Sequence, residues 1–77
     1  MSTNPDRIVN AISTWLGGRL TDEQLQREID GIGSEGLGPQ QAEAVGELRE
    51  ELTRTTPETR GDLERVARET LEAVALD

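Results

Sequence analysis

The sequence predicts an all-α fold, a small bundle of three or four helices with short turns and one glycine-rich loop. Apolar residues recur every three or four positions in four segments, which is the helical period. Glycine and proline mark the ends of these segments, and none shows the alternation of a strand. Leu, Ile and Val number 17 of 77 residues and Phe is absent. We therefore expect a single helical domain over residues 1–77 with a small core.

The first helix is predicted over residues 5–17. Asn4 is the expected N-cap and Pro5 the first helical residue, as both residue types favour those positions. The Gly17-Gly18 pair is expected to end the helix, because glycine adopts the left-handed cap conformation without steric cost. The apolar face of this helix consists of Ile8, Ile12, Trp15 and Leu16.

The second helix is predicted over residues 22–30. Thr21 and Gln24 have the spacing of a capping box, in which each side chain bonds to the other residue's backbone N–H. Gly31 is the expected stop. The segment 31–38 contains four glycines and is predicted to be an irregular loop.

The remaining helices are predicted over residues 39–54 and 57–76, each opened by a proline. Gly46 lies inside the third helix, where glycine destabilises by about 1 kcal/mol relative to alanine. A close approach of another backbone would explain a glycine there.

The composition excludes several functions. The chain has no Cys and no His, and its eight basic residues are all arginine. It therefore lacks a thiolate nucleophile, the commonest general base and the residue that forms Schiff bases, and we expect a non-catalytic protein. The net charge of −8 would repel nucleic-acid phosphates, so no nucleic acid is expected as a partner.

No cofactor or metal is expected. Gly31, Gly33 and Gly36 satisfy the spacing G-x-G-x-x-G, but a predicted helix precedes them where a dinucleotide site needs a strand. Without His or Cys, only carboxylates could hold a metal ion. Glu43 and Glu47 lie four residues apart, a spacing that normally places like charges on a solvated surface.

The sequence favours a cytoplasmic protein that binds neither membrane nor nucleic acid. No stretch approaches the length of about 20 apolar residues that crossing a bilayer requires. The first residues have neither the basic nor the apolar region of a secretion signal. A negative surface favours a basic or neutral protein partner.

By elimination, the most favoured function is that of a small acidic protein-interaction module: an adaptor, a regulator or a chain that pairs with itself. The candidate contact residues are those of the first apolar face, Ile8, Ile12, Trp15 and Leu16. Two interpretations of Trp15 remain open. It is either the main filler of a small core or the anchor of an interface, since tryptophan is enriched in both settings.

The alternative function is that of a carrier modified on Ser34. The segment Gly33-Ser34-Glu35-Gly36-Leu37 precedes a glutamate-rich helix in a short, acidic, helical chain. In these respects the chain resembles acyl and peptidyl carrier proteins. That resemblance implies a phosphopantetheine arm on Ser34, although Gly33 and Glu35 stand where the carriers have aspartate and leucine.

Overall fold

Four helices form the bundle, and their bounds are given by a computed structural model that describes residues 3–33 and 35–76. A 3-10 turn, Pro57–Thr59, leads directly into the last helix, so the regular α-helix begins three residues later than the predicted residue 57. The predicted all-α bundle is confirmed. In chain order the helices are α1 (Asn4–Leu16), α2 (Asp22–Ile32), α3 (Pro39–Arg54) and α4 (Arg60–Leu76).

Helix α1 begins and ends one residue earlier than predicted. The prediction of Asn4 as its cap is wrong, because the Thr3 hydroxyl accepts the hydrogen bond from the Asp6 N–H at 3.3 Å. Asn4 lies inside the helix. Gly17 follows α1 with a φ of −77°, so it is not left-handed, whereas Gly18 has a φ of +81°.

Helix α2 begins as predicted and ends two residues later. In its capping box, the Gln24 N–H donates to the Thr21 hydroxyl at 3.1 Å and the Thr21 N–H donates to the Gln24 carboxamide at 2.9 Å. The prediction of Gly31 as the stop is wrong, since the helix continues through it. The backbone leaves the helix at Gly33, whose φ of +78° favours glycine.

Helix α3 has its predicted bounds, but the surroundings of its internal residue Gly46 differ from those expected. A Cβ atom built on Gly46 would have no neighbouring atom within 4 Å beyond its own helix backbone. No other backbone of the described residues approaches it. The prediction of a close approach at Gly46 is therefore wrong for the folded chain.

The helices pack in a ring around one core. Helix α1 contacts α2 and α4, and α3 contacts α4 and α2. This arrangement follows from apolar faces that each helix can bury only against its neighbours. The buried apolar residues are Ile8, Ala11, Ile12, Trp15, Leu25, Ile29, Val45, Leu48, Leu52, Leu63, Ala67 and Val74.

Two buried polar side chains fix how α3 lies against α4. The Gln41 carboxamide accepts from the Gly38 N–H at 2.8 Å and donates to the Val74 carbonyl at 3.2 Å. The Thr70 hydroxyl lies 2.8 Å from the carbonyl oxygen of Val66 and 3.2 Å from that of Ala44 on α3. Both side chains thus connect the two helices by directional bonds as well as by packing.

Replacing Gln41 by alanine should lower the free energy of unfolding by about 1–3 kcal/mol, because the partly buried Gly38 N–H and the buried Val74 carbonyl lose their partner. Gln40→Ala is the matched control, since Gln40 is exposed on the same turn. Its effect should stay below about 0.5 kcal/mol. Denaturant unfolding of both variants measures the difference, and equal effects would contradict this role of Gln41.

Gly46→Ala should raise the free energy of unfolding by about 0.5–1 kcal/mol, because alanine favours the helix and the new methyl group meets open space. Gly33→Ala should have the opposite sign, since its left-handed backbone strains any residue with a Cβ. Thermal unfolding of the two variants tests the contrast. A destabilised Gly46→Ala protein would show that the position needs glycine for folding.

Candidate functional site

The four predicted contact residues lie mainly inside the bundle. Ile8 and Ile12 are fully buried, and Trp15 is 4% exposed. Leu16 is half-buried against the same core. In this fold Trp15 therefore fills the core, and a partner could reach the three buried side chains only if the helices moved apart. Ser34, the residue of the carrier alternative, lies outside the described residues.

Trp15 also forms a polar contact at the point where three helices meet. Its indole Nε1 donates to the Asp22 carboxylate at 2.8 Å. Arg60, the first residue of α4, donates to both oxygens of the same carboxylate at 2.9 and 3.1 Å. The Arg60 guanidinium lies 5.6 Å from the centre of the indole ring, within the range of a cation–π contact. We call these three residues the corner cluster.

The corner cluster keeps Asp22 ionised. Partial burial by itself would raise the pKa of the Asp22 carboxyl. The hydrogen bonds from Arg60 and Trp15, together with the Arg60 charge, outweigh that effect and lower the pKa below its ordinary value of 3.8. The carboxylate in turn raises the pKa of Arg60. The Asp22 carboxylate thereby connects Trp15 of α1 with Arg60 of α4.

A groove of about 710 Å³ lies between α1 and α2. The two helices run antiparallel: Trp15 meets Asp22 at one end, and Asn4 donates to the Glu35 carbonyl at 2.8 Å near the other. The groove is an open trough on the outside of this pair. Its lining comprises Arg7, Asn10, Ala11, Thr14, Leu20, Arg27, Glu28, Gly31 and Ile32.

The groove combines an apolar floor with charged walls. Ala11 is 9% exposed, and Leu20 and Ile32 are half-buried against the core. Arg7 on one wall is exposed and makes no ion pair with any described residue. Arg27 on the other wall pairs with Glu23 at 2.8 Å, but both side chains are 77% exposed, so the pair is weak.

Two smaller clefts lie along the seam between α2 and α3. One, of about 230 Å³, is lined in part by Ile29, Val45 and Gly46, and the other has a volume of about 340 Å³. An ion pair between Asp30 and Arg49, 2.7 Å long, bridges this seam. The seam therefore offers less free space than the groove between α1 and α2, and part of its charge is already paired.

Other kinds of site lack support within residues 3–33 and 35–76. No three acidic side chains of this part come together to hold a metal ion. Every buried side-chain polar atom described there has a hydrogen-bond partner. None of the helices described has the length and apolarity that crossing a membrane needs.

The groove was not predicted from the sequence, because its lining residues lie on two different helices and on the turn between them. Arg7, Ala11 and Thr14 have the spacing of one helical face, next to the apolar face of α1. That spacing was available in the sequence. Which residues of α2 lie opposite it became known only from the packed structure.

Comparisons with protein-family models, curated protein sequences and solved structures found no match to this chain. The function must therefore be inferred from the residues and their arrangement.

Asp22→Asn should lower the free energy of unfolding at neutral pH by about 1 kcal/mol, because a neutral amide is a weaker acceptor for the Trp15 indole. The folded pKa of Asp22 is lowered, so its stabilising effect is present above pH 3.8 and is lost as the pH falls through the folded value. The difference between the two proteins should therefore shrink in acid.

Denaturant unfolding from about pH 7 to about pH 2.5 measures that difference. Glu23→Gln is the control, since Glu23 is the next residue and its side chain is 77% exposed. A wild-type-to-variant difference that stays constant across this range would contradict the role assigned to the Asp22 charge.

Proposed function

We propose that this protein is a non-catalytic protein-interaction module that binds its partner in the groove between α1 and α2. The observation that carries the proposal is the groove itself, an open trough of about 710 Å³ with half-buried leucine and isoleucine side chains in it. Apolar surface flanked by charged residues is typical of protein contact sites.

The composition supports a binding role. Without His, Cys or Lys, the chain has few groups that form covalent intermediates or transfer protons near neutral pH. The openness of the groove also favours a protein surface over a small molecule, because small-molecule sites enclose most of their ligand.

In this proposal the contact surface is the face of α1 that lines the groove, next to the apolar face predicted from the sequence. Ile8, Ile12 and Trp15 support the site from beneath, since they fix α1 against the core. The residues available for contact are those on the groove's two walls. The carrier alternative on Ser34 and the cytoplasmic location stay predictions from the sequence.

Thr14→Glu should weaken partner binding about tenfold, because it adds a charge beside the apolar floor of the groove. Ser13→Glu is the matched control: Ser13 is the adjacent residue, exposed, and lies outside the groove lining. Native mass spectrometry of the protein purified from its host identifies the bound chain, and titration with that chain gives the affinities of wild type and both variants.

Equal binding by the Thr14→Glu and Ser13→Glu proteins would contradict a role for the groove. A protein that carries no second chain at any concentration tested would contradict the interaction module altogether. A mass increase on Ser34 that corresponds to a phosphopantetheine arm would favour the carrier alternative.

A further inference from the structure

The groove restricts the shape of its occupant. Arg7 and Ile32 lie toward one end, and Leu20 lies toward the other, beyond Thr14. From Arg7 to Thr14, α1 rises about 10 Å, which is two helical turns. A trough of this length between two antiparallel helices matches a third helix, whose side chains pack between the ridges of the first two.

The floor indicates where the occupant carries its large side chains. Ala11 is the small residue near the middle of the trough, between Ile32 and Leu20. Its short side chain leaves room for a large apolar residue of the occupant. Apolar residues at positions i, i+4 and i+7 of a helix lie on one face and span the same two turns.

The charges of the groove differ from those of the whole chain. The chain carries −8, but the groove lining includes two guanidinium groups, Arg7 and Arg27, and one carboxylate, Glu28. Charges more than about 8 Å apart are largely screened at physiological ionic strength. A docked helix therefore responds chiefly to the lining and to Glu23, which pairs with Arg27 on the surface. Arg7 makes no ion pair with any described residue, so its guanidinium offers paired donors to a carboxylate of the occupant. Arg27 can do the same by exchanging its weak, exposed pair with Glu23.

We propose that the occupant is a short amphipathic helix of another protein, with large apolar residues on one face and carboxylates beside it that pair with Arg7 and Arg27. This partner class rests on the proposed function of the groove. A second copy of the chain is a poorer fit. Two concave grooves placed face to face leave unfilled space, and each copy carries −8.

A peptide library tests the proposal with the intact protein. Helical peptides of about 15 residues are displayed with leucine at i, i+4 and i+7, and the flanking positions are randomised among Glu, Lys and Gln. Wild-type protein should retain Glu-flanked peptides with about tenfold higher affinity than Lys-flanked ones. The Arg7→Glu/Arg27→Glu protein should reverse that preference.

The matched control is Arg65→Glu/Arg68→Glu, which makes the same change in net charge at two exposed arginines of α4. It should retain the preference for Glu within about twofold. Far-ultraviolet circular dichroism verifies that each variant is folded. If the α4 variant reversed the preference as well, net charge rather than the groove would be responsible, and the proposal would be overturned.

Three further outcomes separate this proposal from the proposed function. If Lys-flanked peptides are enriched and the Thr14→Glu substitution abolishes that enrichment, the proposal of an acidic partner is overturned, whereas the groove remains a binding site. Peptide retention that is no stronger for wild type than for the Thr14→Glu protein would overturn both. The wild-type protein could instead form a dimer that the Thr14→Glu substitution dissociates. In that case the occupant of the groove is a second copy of this chain, and the proposal of an acidic helix is overturned.

Discussion

The hydrogen bond between the Trp15 indole and the Asp22 carboxylate fixes the point at which α1, α2 and α4 meet. Trp15 is the only aromatic residue, and Asp22 is the first residue of α2, where a carboxylate also complements the helix dipole. Arg60 begins α4, where a cation is unfavourable for the same reason. Asp22 neutralises that charge. The same carboxylate therefore accepts the hydrogen bond of the buried Trp15 indole and fixes the N-terminus of α4.

The rest of the bundle follows from this corner and from the polar contacts of α3 with α4. Apolar packing is non-directional. Among the described residues the core consists of eleven small and medium-sized apolar residues and one tryptophan, and such a core would accept more than one alignment of four short helices. Gln41 and Thr70 add directional bonds between α3 and α4. No helix within residues 3–33 and 35–76 lies across the outer side of the α1–α2 pair, and the groove is the result.

The sequence alone was sufficient for the fold class, because the helical period and the caps are local properties. The capping box at Thr21 and the bounds of α3 agree with the structure for that reason. Two predictions about helix ends are wrong because nearby residues compete for one role. Thr3 takes the cap position in place of Asn4, and Gly33 ends α2 in place of Gly31, because only the folded backbone decides which residue adopts the required conformation.

The sequence by itself thus determined the all-α fold class, the acidic composition and the small size of the core. It also identified Ile8, Ile12 and Trp15 as an apolar face, but it left open whether that face was core or contact surface. Only the tertiary structure decided that they are buried, and only it brought Arg60 to Asp22, 38 residues apart in the chain. The physical reason is that helix formation depends on neighbours within a few residues, whereas the groove and the corner cluster depend on which helices pack side by side.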